Sequence, residues 1–293
     1  MIYDIKHLTT YRYEGQASSA AFALRLLPCN NVGQRVLETK ITLSPRPAEQ
    51  SQGQDFFGNT LTFVRIDRPH ADLRVEAFSR VKVERDEAVA PALTPAWETI
   101  RTAAAAAASL SRDCPAHFLY PSRLVSLHTP AVEYAAKSFG GGRPILEAAI
   151  ELMGRVKRDF AYDQNATAVS TKVPEAFSRR RGVCQDFAHI MIAGLRGLGL
   201  AACYVSGYIR THPPEGATRL EGADASHAWV EVWCGREFGW LGLDPTNNIS
   251  VSDDHVVLAI GRDYADVSPT SGVFVGSGDH ELSVSVDVRP HEA

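Results

Sequence analysis

The stretch "RRRGVCQDFAHIMIAGLRGLGL", residues 179–200, decides how the chain is read. Phe187, Ile190, Met191, Leu195 and Leu198 recur at helical intervals and predict an apolar stripe. Gly199 follows the last of them, where a helix can stop in a left-handed turn. The helix therefore starts near Cys184. A cysteine in a first turn lies at the positive end of the macrodipole, which favours its thiolate. The first N–H groups, here those of Cys184 and Gln185, have no intrahelical acceptor and can hold a developing oxyanion. Gly182 leaves room for a substrate to approach. His189, five residues on, points about 140° away around the helix and reads as packing. Asp186 reads as a cap or as a partner for Arg179, Arg180 or Arg181, and the arginine run as a solvated turn.

Downstream, "LAACYVSGYI" (200–209) reads as a strand, and "SHAWVEVWCGREFGWLGLDPT" (226–246) as strand, turn, strand. A two-residue turn at Gly235-Arg236 would set His227 directly opposite Asp244 on one face, with Cβ atoms ~5 Å apart. A carboxylate there can accept a hydrogen bond from imidazole. Cys184 attacking a carbonyl, His227 moving the proton and Asp244 orienting the ring form a coherent nucleophilic set. Trp229, Glu231 and Trp233 share His227's face by period two. Trp229 and Trp233 read first as packing that covers the sheet, with Trp229 the candidate to shield the imidazole or to line the acyl groove. Asn247 reads as a stabiliser of the turn after Pro245, Cys203 as core and Cys234 as a neighbour of the turn.

Upstream, residues 1–90 read as β structure. Leu73, Val75, Ala77, Val81 and Val83 alternate onto one face, and Gly58-Asn59 between apolar runs reads as a two-residue hairpin turn. Thr94-Pro95 reads as an N-cap with proline at the first helical position, followed by an alanine-rich helix. The expected fold is α+β. An N-terminal antiparallel β-sandwich or barrel-like domain (1–90) precedes a catalytic domain (91–293), in which a cysteine-bearing helix packs on an antiparallel sheet.

The chain has 293 residues, 45% hydrophobic and 22% charged, with net charge −4. That balance is globular and offers no basic field for nucleic acid. The start, "MIYDIKHLTTYRY", alternates and lacks the apolar run of a secretion signal, and no segment has the ~20 apolar residues of a membrane span. A cytoplasmic location is expected, with no nucleic-acid and no membrane partner. Five scattered cysteines without a CxxC pair suggest neither a disulfide framework nor a zinc ribbon.

The blocks "RRGVCQDFAHIMIAGLRGLGLAACYVSGY", "SHAWVEVW" and "GWLGLDPTNN" resemble the cysteine, histidine and aspartate blocks of the transglutaminase-like superfamily, in that order. "DFAYD" and "PEAFSRRRG" resemble its lead-in. "HLTTYRY" and "DFFGN" are similar to the N-terminal domain of bacterial transglutaminase-like proteins. The resemblance implies a papain-like core and acyl transfer through a thioester on Cys184, with His227 and Asp244. The calcium sites and extra β domains of the animal cross-linking enzymes have no counterpart here. The expected activity is thus that of a cysteine peptidase or amidase acting on a peptide, protein or other amide, with no cofactor and no metal. Protein-glutamine transamidation, a non-catalytic binding module, and zinc ligation by Cys184, His227 and Asp244 are the alternatives.

Overall fold

The computed structural model describes residues 1–211 and 226–291. The first strands, β1 (Ile2–Ala17), β2 (Ser19–Leu24), β3 (Gln34–Ser44), β4 (Glu49–Gln54), β5 (Thr60–Ile66) and β6 (His70–Val83), build most of a sandwich. Strict alternation drives β6 as expected: Leu73, Val75, Ala77, Val81 and Val83 all point inward and are at most 2% exposed. The β4–β5 connection is longer than a two-residue turn. Asp55 replaces the tight turn by accepting the N–H groups of Phe57 and Asn59, both at 3.0 Å, while Gly58 takes φ +80°.

Helices α1 (Trp97–Ala105), α2 (Thr129–Ala136) and α3 (Ile145–Asp159) follow, then β7 (Ala161–Tyr162), α4 (Val173–Arg179), β8 (Arg181–Gly182) and α5 (Cys184–Gly197). The α1 helix begins after Ala96, later than the expected cap at Thr94. The Thr94 hydroxyl instead closes a tight turn onto the Pro91 carbonyl and receives the Leu146 N–H of α3. Strands β9 (Ala202–Ile209), β10 (Ser226–Trp233), β11 (Trp240–Asp244), β12 (Ile249–Ser250) and β13 (His255–Gly261) form an antiparallel sheet in the order β12-β11-β10-β9-β13. The α5 helix packs on β9 and β10 and is enclosed by α2, α3 and α4. Its residues 185–196 are therefore all buried, more than one apolar stripe requires.

After α6 (Tyr264–Val267), the chain returns to the sandwich as β14 (Thr270–Val275) and β15 (His280–Pro290). The two sandwich sheets are β15-β1-β6-β3 and β14-β2-β5-β4. A division at residue 90 into 1–90 and 91–293 is thus corrected. The open edges of β1 and β2 are filled from the far end of the chain, so residues 270–290 belong to the β unit.

The two units share packed surface. One end of the long strands β1 and β6 buries Tyr11, Leu73 and Val75 against the second sandwich sheet. Their other end buries Tyr3, Ile5, Val81 and Val83 against Tyr208, Val256 and Leu258 of the α/β unit. At the free edge of β13, two side-chain amides do the work of a neighbouring strand. Gln34 receives the Val257 N–H and donates to the Val257 carbonyl, both at 2.8 Å, and Asn59 does the same at Ile260. Buried backbone groups need such partners. Gln34→Leu leaves both Val257 groups unpaired and should lower unfolding free energy by about 1–3 kcal/mol, read as a lower urea midpoint at unchanged m.

Candidate active site

Cys184 is the first residue of α5, after Val183 in extended backbone (φ −109°, ψ −178°). Valine has no side-chain acceptor, so the capping comes from Asp186. Its Oδ2 receives the Val183 N–H at 2.8 Å and the Thr167 hydroxyl at 2.6 Å. Asp186 thus caps, and among the described residues no arginine pairs with it. Burial pushes its carboxyl up, opposed by those two donors. A Cβ on Gly182 would lie 2.5 Å from Asp186 Oδ2 and 2.8 Å from its Cγ. The room beside Gly182, expected to admit substrate, is filled by the folded-back cap.

Gln185 is buried, and its side-chain amide donates to the Val169 carbonyl at 2.9 Å; only its backbone N–H remains beside the sulfur. Cys184 itself is partly exposed, whereas Cys114, Cys203 and Cys234 are buried. Cys203 and Cys234 are pushed up by burial, Cys203 far above the usual thiol range and Cys234 to about 12. His189 is core: burial lowers it to about 4, and its Nε2 accepts the Tyr264 N–H. Arg180 departs from a purely solvated turn, at φ 52° with its guanidinium over the rings of Phe177, Phe160 and Tyr134.

The β10–β11 hairpin differs in register from the two-residue turn. Trp233 pairs with Trp240 and Val230 with Leu243. Residues 234–239 form the loop, closed by Cys234 N–H to the Gly239 carbonyl and Gly239 N–H to the Gly235 carbonyl, both 2.8 Å, with Gly235 at φ +103° and Gly239 at φ +65°. Extending this ladder sets Trp229, rather than His227, opposite Asp244. The slip is two residues, which preserves the face. His227 therefore reaches Asp244 along the diagonal, Nε2 to Oδ2 at 2.8 Å.

Asp244 is 0% exposed and receives five donors. Oδ1 accepts the N–H groups of Thr246 (2.9 Å) and Asn247 (3.2 Å). Oδ2 accepts His227 Nε2, Asn247 Nδ2 at 2.7 Å and His255 Nε2 at 3.4 Å. Burial raises the carboxyl, but His227, His255 and Asn247 outweigh it and hold it well below the usual carboxylate range. Burial likewise opposes charge on His227, yet Asp244 and then Cys184, which lies within hydrogen-bonding reach, raise the ring to about 9. With Nε2 committed to Asp244, Nδ1 is the nitrogen left for the thiol. Cys184, His227 and Asp244, contributed by α5, β10 and β11, are thus brought together around the imidazole.

Trp229 is fully buried behind the imidazole, its ring 6.2 Å from His227 and edge-on to His255 at 5.2 Å. It lies over Gly207, the strand partner of His227, where a Cβ would collide with the indole. It backs the ring and does not wall an open groove. Two residues at the site escape sequence reasoning. Tyr162, in "DFAYD", is brought to the helix start by the two-residue parallel pairing of β7 with β8, opposite Gly182. Burial and then the Cys184 sulfur push its phenol up. His255 follows a polar turn with no periodicity to mark it. Among the described residues, no three His, Cys, Asp or Glu side chains are arranged to hold a metal ion.

Residues 3–82 match the bacterial transglutaminase-like N-terminal region, and residues 133–245 match the transglutaminase-like superfamily. An uncharacterized protein of Mycobacterium tuberculosis is 40% identical over 99% of this chain and 93% of its own length. One of Mycobacterium leprae is 30% identical over 97% of each. The crystal structure of a proposed cysteine protease from Cytophaga hutchinsonii superposes with TM-score 0.75 at 20% identity, covering 100% of this chain and 92% of that one. At that identity the likeness is one of fold.

Because His227 binds its proton more tightly folded than unfolded, it contributes stability that is complete below about pH 6.5 and is lost as pH rises through about 9. Asp244→Asn removes the carboxylate while burial persists. The ring midpoint should then fall below about 7 by NMR titration, and the loss of stability between pH 6.5 and 9 should flatten.

Proposed function

This chain belongs to the transglutaminase-like superfamily, and from that premise we propose that it is a cysteine-dependent acyl-transfer enzyme, a peptidase or amidase that opens an amide bond through a thioester. The observation that supports this most directly is the grouping of the partly exposed Cys184 with His227, which is hydrogen-bonded to the buried, five-donor Asp244. The imidazolium and the positive end of α5 both lie beside the sulfur that would attack.

In the first step the Cys184 thiolate forms a bond to the carbonyl carbon of the amide. The electron pair moves to the carbonyl oxygen and then returns as the C–N bond breaks. His227 gives its Nδ1 proton to the leaving amine. In the second step water attacks the thioester, His227 takes one of its protons, and the carboxylic acid leaves as the thiolate is restored. Asp244 keeps the ring oriented and offsets its positive charge throughout. The N–H groups of Cys184 and Gln185 and the phenol of Tyr162 are the donors assigned to the oxyanion. Trp229 keeps water from the rear of the imidazole.

Cys184→Ala should abolish labelling by a thiol-directed acyl probe and lower turnover by ~10³-fold or more. Screening peptides and amides by mass spectrometry supplies the assay, and the product masses separate water from an amine as acceptor. Undiminished turnover by Cys184→Ala would remove the mechanism. Tyr162→Phe should lower kcat by about 10²-fold with little change in KM; an unchanged kcat in the folded variant would take Tyr162 out of the oxyanion site.

A further inference from the structure

We propose that His255 is a positioning residue, a second imidazole that donates to Asp244 Oδ2 and so competes with His227 for the carboxylate. The inference rests on the reading of Cys184, His227 and Asp244 as the working set. His255 is 0% exposed at the first position of β13. Its Nδ1 faces the Ser252 backbone N–H at 3.2 Å. A backbone N–H can only donate, so Nδ1 accepts and the proton of the neutral ring sits on Nε2. That nitrogen lies 3.4 Å from Asp244 Oδ2. The peptide chain thus selects the tautomer that makes His255 a donor, and the indole of Trp229 fixes the ring plane at 79°.

Asp244 does not need this bond to stay in place. The N–H groups of Thr246 and Asn247 and the Asn247 amide already fix its plane. A further donor on Oδ2 instead draws off negative charge that would otherwise hold the proton on His227. A base bound too tightly to its proton is slow to return it, so tempering the carboxylate favours a ring that must both take and give.

Other charges reach this neighbourhood through different atoms. Cys184 of α5 faces His227. Lys157 of α3 donates to the Thr246 carbonyl. Arg85, from the sandwich side, donates to the Ser252 and His255 carbonyls, and its own N–H goes to Asp253. Asp254 accepts the Tyr3 hydroxyl and lies 3.9 Å from Arg210. None of these bonds uses the His255 side chain, so a substitution there leaves them in place.

The test is NMR titration of the full chain with ¹⁵N-labelled histidine. In the wild type, His255 should carry its proton on Nε2 with Nδ1 bare; the opposite tautomer overturns the proposal. In His255→Phe the His227 midpoint should rise by about 0.5 pH unit. His255→Gln, whose amide can both accept from Ser252 and donate to Asp244, should hold it near the wild-type value. An unchanged or lowered midpoint in folded His255→Phe overturns the assignment. If that variant does not fold, His255→Asn, too short to span both partners, carries the same expectation and the same refutation. Alkylation of Cys184 by iodoacetamide across pH separates this question from the mechanism. A profile untouched by His227→Ala breaks the reading of the working set, whereas the His227 midpoint tests His255 with no substrate present.

Discussion

An ionised carboxylate with no exposed surface is among the costlier things a protein can bury, and Asp244 is bearable only because donors converge on it from three directions. The turn after β11 supplies two backbone N–H groups and the Asn247 amide, β10 supplies His227, and β13 supplies His255. That turn is itself held by the Asn248 N–H on the Asp244 carbonyl, with Asn248 at φ 58°. The charge therefore acts as a fixed point on which three strands are aligned. His227 takes its orientation and its raised proton affinity from this point, and Cys184 meets the ring from the helix above the sheet.

The same logic gives the β sandwich a role in the chemistry. It seals the free edge of β13 with the amides of Gln34 and Asn59, and Arg85 grips the carbonyls at the start of that strand. His255 is carried there. A path of hydrogen bonds thus runs from the sandwich through β13 to Asp244 and on to His227. The amide caps also cover backbone groups that would otherwise invite pairing with another chain.

Much of this was legible in the residues. Helical periodicity after Cys184 located α5, period-two alternation located β6 and β10, and the short apolar run at 200–209 marked β9, which is buried on both faces. The face shared by His227 and Asp244 survived an error in the turn, because a loop lengthened about two left-handed glycines, Gly235 and Gly239, moves the register by an even step. What could not be read depends on tertiary placement. The strands β14 and β15 carry ordinary alternation that says nothing of which sheet they join. The closeness of Asp186 to Gly182 is set by a cap folding back, which spacing along the chain does not reveal. Tyr162 and His255 sit in a two-residue strand and after an irregular turn, where no repeat marks them.

The pairing of β15 with β1 has a consequence for how the molecule is made. Tyr3 lies beside Pro290, so one edge of the first strand stays bare until residue 290 has been made. Meanwhile α5 and the five-stranded sheet, whose partners lie close along the chain, can assemble. Synthesis would then yield a nascent species with its thiol site largely built and its sandwich unsealed. Closing so long a loop is slow, and the exposed edge is vulnerable to aggregation until the last strand arrives. Strand β15 is a latch, made after every other strand of the two sandwich sheets.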